Sequence, residues 1–213
     1  MLSTTAATRP DLAYAVNVAS RAQEAPTEAH VKLVKRILRY LKGTINDGIQ
    51  FKRTLYTTIG AYSDADHAGD KLTRRSTSGM LMKYCEGPVM WRSKLQRCVA
   101  LSSMEAEYVA ASEASKSLVW LDRLLKEIGA ADESSSPVLY IDNQSAIKYI
   151  KNPRFHERSK HIDTQYHYIK QLVGEKKIMI EYIPAEQAAD IFTKGLSANK
   201  LSVMKFKIGM TKV

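Results

Sequence analysis

The sequence predicts an α/β fold: a five-stranded mixed sheet flanked by helices, with a helical appendage ahead of it. Three observations carry this. The apolar period is helical up to about residue 43 and turns strand-like from Ile59; three strands then follow one another before a long helix; and the remaining strands alternate with helices, giving the order βββαβα(α)βα. We therefore divide the chain into an appendage, residues 1–57, and a sheet domain, residues 58–213.

The elements follow in order. Thr8-Arg9-Pro10-Asp11 offers an N-cap followed by an early-turn proline and acid, which predicts a helix start. After Pro26, TEAHVKLVKRILRYLKG places Val31, Val34, Leu38 and Leu41 at helical spacing with Ile37 beside them, and Gly43 is its stop. The opposite face carries Lys32, Lys35, Arg36, Arg39 and Lys42, either an ordinary solvated face or a surface that tracks phosphates. IGAYSDAD reads as a strand entering a turn, and GMLMKYC and PVMWRS as two strands joined around Glu86-Gly87. A long helix begins near Ser102 and ends before Gly129. Beyond the polar loop ADESSS come a strand, PVLYID, a short helix, NQSAIKYIK, and a further helix, HIDTQYHYIKQLV. A strand, KIMIEYIP, a helix, AEQAADIFTKG, and a short helical tail complete the chain.

Composition narrows the function classes. With 45% apolar and 25% charged residues the chain is an ordinary globular one, and no run approaches the roughly 18 apolar residues of a membrane span. The start lacks the pattern of a targeting signal, and Cys85 and Cys98 do not make a disulfide framework or a zinc site, so an intracellular compartment is expected. The formal charge is +10, and residues 1–57, with 9 basic and 4 acidic residues, supply half of that excess. Such a balance favours a polyanionic partner, nucleic acid before membrane.

The acids are informative singly and together. Asp64 ends the first strand of the domain, where it is a turn residue, a cap, or a ligand facing a cleft. Asp142 repeats the situation after the apolar run Val138-Leu139-Tyr140-Ile141, and the neighbouring Asn143 can cap the following helix in its stead. Asp66 shares the strand face of Asp64 by the period of two but lies in the turn. In the long helix, positions 104, 107, 111, 114, 118, 121 and 125 form the apolar stripe, so Glu107 faces the core and requires a partner, a proton or a metal. Glu105, about 160° round the helix, faces elsewhere and fits an S-x-x-E capping box with Ser102. Asp190, in the last clear helix, either pairs with Lys194 at i+4 or joins the other acids. Asp64, Glu107, Asp142 and Asp190 form an all-oxygen set suited to hard divalent cations, able to hold two Mg²⁺ ions about 3.5–4 Å apart.

These residues resemble the ribonuclease H family, and the stretches YSDADHAGD, RRSTSG, WRSKLQ, ALSSMEAEYVA, YIDNQSAI, RSKHIDTQYHYI and ADIFTKGL resemble its copia-type retrotransposon branch. They cover nearly all of residues 59–213, and residues 8–50 resemble the C-terminal, thumb-side end of the reverse transcriptase that precedes the ribonuclease H in that polyprotein. The resemblance implies a ribonuclease H-like fold and cleavage of the RNA strand of an RNA–DNA hybrid. It makes Asp64, Glu107, Asp142 and Asp190 the ligands of two Mg²⁺ ions, for which Mn²⁺ can substitute. It implies the rest of a reverse transcriptase as a partner, and the cytoplasm or a virus-like particle as the location. Arg74, Arg75, Lys94 and Lys160 are the candidates for substrate contacts.

The sequence departs from the family at His67, where the copia pattern usually has Trp, and at Met104, where it has a small residue. The loop before Asp190, PAEQAA, lacks the histidine that many cellular ribonucleases H use in proton transfer, which leaves Glu186 or solvent for that role. His156, His161 and His167 are spaced wrongly to stack on one helix face, which argues against a zinc site. A polymerase Y-x-D-D motif is missing, and an integrase or resolvase would place its glutamate last among the acids. The competing expectation is a catalytically idle remnant that only binds nucleic acid.

Overall fold

The computed structural model describes residues 7–53, 59–152, 167–184 and 187–212. The appendage begins with a 3-10 turn, Pro10–Leu12, that runs into helix α1, Ala13–Ser20. Arg9 occupies its N-cap position, without a side-chain cap bond. Arg9 is buried and donates through Nε and Nη2 to the two carboxylate oxygens of Asp11 at 2.9 and 2.7 Å. Its Nη1 donates to the Thr44 carbonyl at 3.1 Å, and the Tyr40 hydroxyl donates to Asp11 at 2.7 Å. The early-turn acid Asp11 is thus the centre of a paired, buried network that ties the start of α1 to the end of α2, Glu28–Gly43.

Helix α2 turns a different face inward from the one predicted. Ile37 is buried, with Leu33, Tyr40 and Leu41 packed around it against α1, while Val31 and Leu38 are about half exposed. The apolar set of this helix is too wide for spacing alone to select its edge. Tyr40, anchored by Asp11, rotates the contact toward its own side. The five basic residues of the opposite face are all exposed.

The sheet contains β2, Gly60–Ala65, β3, Thr77–Tyr84, and β4, Gly87–Leu95, with β5, Val138–Ile141, and β6, Met179–Tyr182. Their order is β4-β3-β2-β5-β6, with the first three antiparallel and β5 and β6 parallel to β2. This is the five-stranded mixed sheet that the sequence predicts. The β3–β4 hairpin turns at Cys85 and Glu86, both with positive φ, one residue earlier than expected; this double left-handed turn matches the right-handed twist of the flanking strands.

Alternation along the strands builds a core on each face. Ala61, Met80, Met82, Leu139 and Ile141 meet α3, Ser103–Glu127, on one side, with α4, Gln144–Lys151, and α5, Tyr168–Gly174. Leu81 and part-buried Tyr62 and Trp91 meet the C-terminal elements on the other. Those elements are a 3-10 segment, Ala188–Phe192, then α6, Ala198–Lys207, and β7, Met210–Lys212. Within the expected helix AEQAADIFTKG, Ala188–Phe192 form a single short 3-10 stretch. Every residue of Ala188–Phe192 is buried, and the turn lies directly on β3 at Gly79. Strand β7 pairs antiparallel with β1, Asp47–Ile49, so the end of the chain is zipped to the appendage. An ion pair between Lys205 and Asp47 reinforces this seam. The appendage also reaches the sheet through Asn17, which donates to Ser93 Oγ at 2.9 Å, and Arg21, which pairs with Asp70 at 3.1 Å. No helix of the described residues is long and apolar enough to cross a membrane.

Candidate active site

Parity along the strands decides what Asp64 and Asp142 face. Asp64 lies two residues beyond Tyr62, and Asp142 two beyond Tyr140; these tyrosines stack on the same sheet face with ring centroids 5.1 Å apart. β2 and β5 are parallel and Ser63 pairs with Ile141, so the two aspartates stand side by side one position further on. Asn143, not Asp142, caps α4, its side chain accepting from the Ala146 amide at 2.9 Å. Asp142 is thereby free for the cleft.

Asp190 arrives on the same face from the 3-10 segment. Carboxylate oxygens of Asp64, Asp142 and Asp190 all lie within 4.8 Å of one another. Glu107 joins from the opposite face of the sheet: it projects from the buried side of α3, and its Oε1 accepts the amide of Ala65 at 3.1 Å. Helical phase thus put Glu107 on the buried side of α3, and Glu105, which faces elsewhere, is just as buried. Ser102 caps the helix by accepting from the Glu105 amide at 3.2 Å, and the Glu105 carboxylate accepts from the Leu101 amide at 2.8 Å.

Burial and crowding act on Asp64, Glu107 and Asp142 in one direction. Burial, with the charges of Asp190 and Asp142, pushes the Asp64 carboxyl up to about 6, although Thr193 and Lys194 oppose the shift. Burial and the charges of Asp64 and Asp142 hold Glu107 well above the ordinary carboxylate range. Asp142 is raised by burial and by Asp190. Three carboxyls that resist ionisation in one place are destabilising unless a cation joins them.

A divalent cation fits this donor set. Glu107 Oε2 and Asp190 Oδ1 are buried without a hydrogen-bond partner, so lone pairs already withdrawn from water stand ready for a ligand bond. The donors are carboxylate oxygens, the chemistry of hard cations. Around them are residues that sequence reasoning passed over. The Thr193 hydroxyl donates to Asp64 Oδ2, because 3-10 geometry brings position i+3 over Asp190 and so over its neighbour. Gln187, 2% exposed, donates to the Ser63 carbonyl at 2.7 Å and fixes the segment to β2. Thr193 lies inside the quoted stretch ADIFTKGL, where only the i+4 partner of Asp190 was sought; Gln187 carries no signal of its own.

Gly79 makes this approach feasible. A Cβ on it would lie 2.8 Å from Phe192 Cβ and from Thr193 Cγ2, and 3.0 Å from the Ala189 carbonyl. Gly79→Ala should therefore cost about 1–3 kcal/mol of stability in urea unfolding, as the 3-10 segment is forced off the sheet.

Of the remaining candidates, Arg74 and Arg75 are exposed in the loop between β2 and β3, and Lys94 is exposed on β4. Asp66 accepts from the Thr77 amide and braces that loop, outside the carboxylate cluster. Lys160, Glu186, His156 and His161 lie outside the described residues. His167 bonds the Tyr108 hydroxyl at 2.9 Å.

No family model matches the chain. Over 204 residues, 95% of this chain, it is 44% identical to the retrovirus-related Pol polyprotein from transposon TNT 1-94 of Nicotiana tabacum. Over 207 residues, 97% of the chain, it is 42% identical to that from transposon RE1 of Arabidopsis thaliana. The chain belongs to the Pol polyproteins of copia-type retrotransposons. It spans only 15% and 14% of those two Pol polyproteins. Among solved structures, this Pol segment is similar to LC11-RNase H1, a protein isolated from compost and crystallised with an RNA/DNA hybrid. That match has a TM-score of 0.43 at 15% identity and covers 64% of this chain and 94% of the other.

Proposed function

We propose that residues 58–213 form a ribonuclease H that hydrolyses the RNA strand of RNA–DNA hybrids, and that residues 1–57 are the thumb-side end of a reverse transcriptase. The observation that carries this is the meeting of Asp64, Asp142 and Asp190 within 4.8 Å, with Glu107 hydrogen-bonded beside them at the end of β2. Asp64, Glu107, Asp142 and Asp190 would hold Mg²⁺. Two such ions, when bound, supply an activated water and neutralise the leaving oxygen of the phosphodiester.

The chain's own residues prepare that chemistry. Thr193 orients Asp64, the Ala65 amide orients Glu107, and Gln187 holds the 3-10 segment of Asp190 against β2. Arg74, Arg75 and Lys94, all exposed, are the candidates for phosphate contacts, with Lys160 as a further one. The exposed basic face of α2 offers the same chemistry.

The test is cleavage of a labelled RNA–DNA hybrid by the 213-residue chain in Mg²⁺. We expect RNA-strand cuts that stop in EDTA and are abolished by Asp142→Asn. Binding without cleavage in either Mg²⁺ or Mn²⁺ would instead identify an idle, nucleic-acid-binding remnant.

A further inference from the structure

Among the described residues, Lys194 carries a cation into the carboxylate cluster. Lys194 Nζ lies 3.0 Å from Asp190 Oδ2, and its charge bears on Asp64 and Asp142 as well. The two partners are unlike in setting: the Asp190 side chain is 7% exposed, that of Lys194 51%. The carboxylate is fixed in the sheet-bound 3-10 segment, whereas the ammonium sits on a flexible stem at the solvent side. Its backbone is anchored next door, since Thr193 is fully buried and bonded to Asp64. An ammonium so held can swing out with no rearrangement of the fold.

The oxygen it leaves belongs to the residue whose other oxygen, Asp190 Oδ1, already lacks a partner. A divalent ion on Asp190 and an ammonium 3.0 Å from that carboxylate repel one another, so the two compete for one place. We propose that Lys194 is the resident counter-cation of the metal-free cluster, and that a divalent cation enters by displacing its ammonium from Asp190. This rests on the metal-binding reading of the site. The lysine keeps the packed acids tolerable without metal, and it weakens metal binding by the attraction that must be given up. The displaced ammonium then stands at the solvent side of the loaded site, where it is free to meet an anionic substrate.

The test uses the full chain with Lys194→Met, which preserves length and removes charge, and Lys194→Arg, which restores it. Calorimetric titration with MgCl₂ should show the Met variant binding roughly five- to tenfold tighter than wild type. In EDTA its melting temperature should fall, and the Arg variant should move both values back toward wild type. Unchanged or weaker Mg²⁺ binding by the Met variant would overturn the proposal. If that variant does not fold in EDTA, the wild-type chain decides: mass-spectrometric amine labelling of Lys194 should rise when Mg²⁺ is added, and constant labelling would overturn the inference. None of these readouts is cleavage. A chain that cuts no hybrid yet shows the tightened binding would sink the nuclease reading alone, and a chain that cuts while the variants bind Mg²⁺ alike would sink this one alone.

Discussion

Glu107→Gln should abolish hybrid cleavage while Glu105→Gln, two residues away, spares it. A metal ion acting as Lewis acid contributes several kcal/mol at the transition state, so the loss of one carboxylate ligand should slow cleavage on the order of a thousandfold in single-turnover assays with Mg²⁺. The fold should survive. Glutamine retains the oxygen that accepts the Ala65 amide and removes an ionisation that burial, Asp64 and Asp142 all oppose. Glu105→Gln should do the reverse. Its carboxylate is buried and accepts the Leu101 amide at 2.8 Å beside the positive end of α3, so neutralising it should cost about 1–2 kcal/mol in urea unfolding. The opposite pattern, a dead Glu105→Gln and an active Glu107→Gln, would overturn the assignment of roles.

That pair also shows how far sequence reasoning reaches. Phase along α3 separates the directions of the two glutamates because a stripe from Met104 to Leu125 is long enough to define a face. It says nothing of burial at the first turns, where residues 105–112 are buried on every side. That enclosure comes from elements distant in sequence, such as Gln96, which donates to the Ala106 carbonyl at 2.9 Å. The strand-end aspartates were legible because apolar strands have a readable end and parity then sets direction. In α2 the same periodicity misled, since Val31, Leu33, Val34, Ile37, Leu38 and Leu41 span more than one face and the choice depends on a tyrosine bonded to Asp11. The β1–β7 seam carried no signal: strands of three residues, DGI and MTK, are too short for any pattern. The 3-10 form of Ala188–Phe192 is set by its contact with Gly79, a property of the fold and not of the segment.

In metal-free buffer, Asp64→Asn should be more stable than wild type at neutral pH and no more stable in acid. The folded chain moves the Asp64 carboxyl from its ordinary 3.8 up to about 6, so the native state holds that proton more tightly than the unfolded state does. Below the lower value both states are protonated and nothing is lost. As pH rises through the window between the two, the unfolded chain releases its proton first, and native stability falls until the folded carboxyl has ionised as well. A shift of about two units corresponds to about 3 kcal/mol, so an asparagine, which cannot ionise, should gain about 2–3 kcal/mol over wild type at pH 7.5 in EDTA. Asp142 and Glu107 are raised by the same crowding, so the transition belongs to the group, and removing one charge should also ease the ionisation of the others. Saturating Mg²⁺ should reverse the ranking, because binding to the native state stabilises wild type and not a chain lacking one ligand. Urea unfolding at pH 4, 6 and 7.5, with EDTA and with Mg²⁺, reads all of this. A wild type more stable than Asp64→Asn at pH 7.5 in EDTA would show that the carboxylates are already compensated without metal, and that the strain which makes the cluster a cation site does not exist.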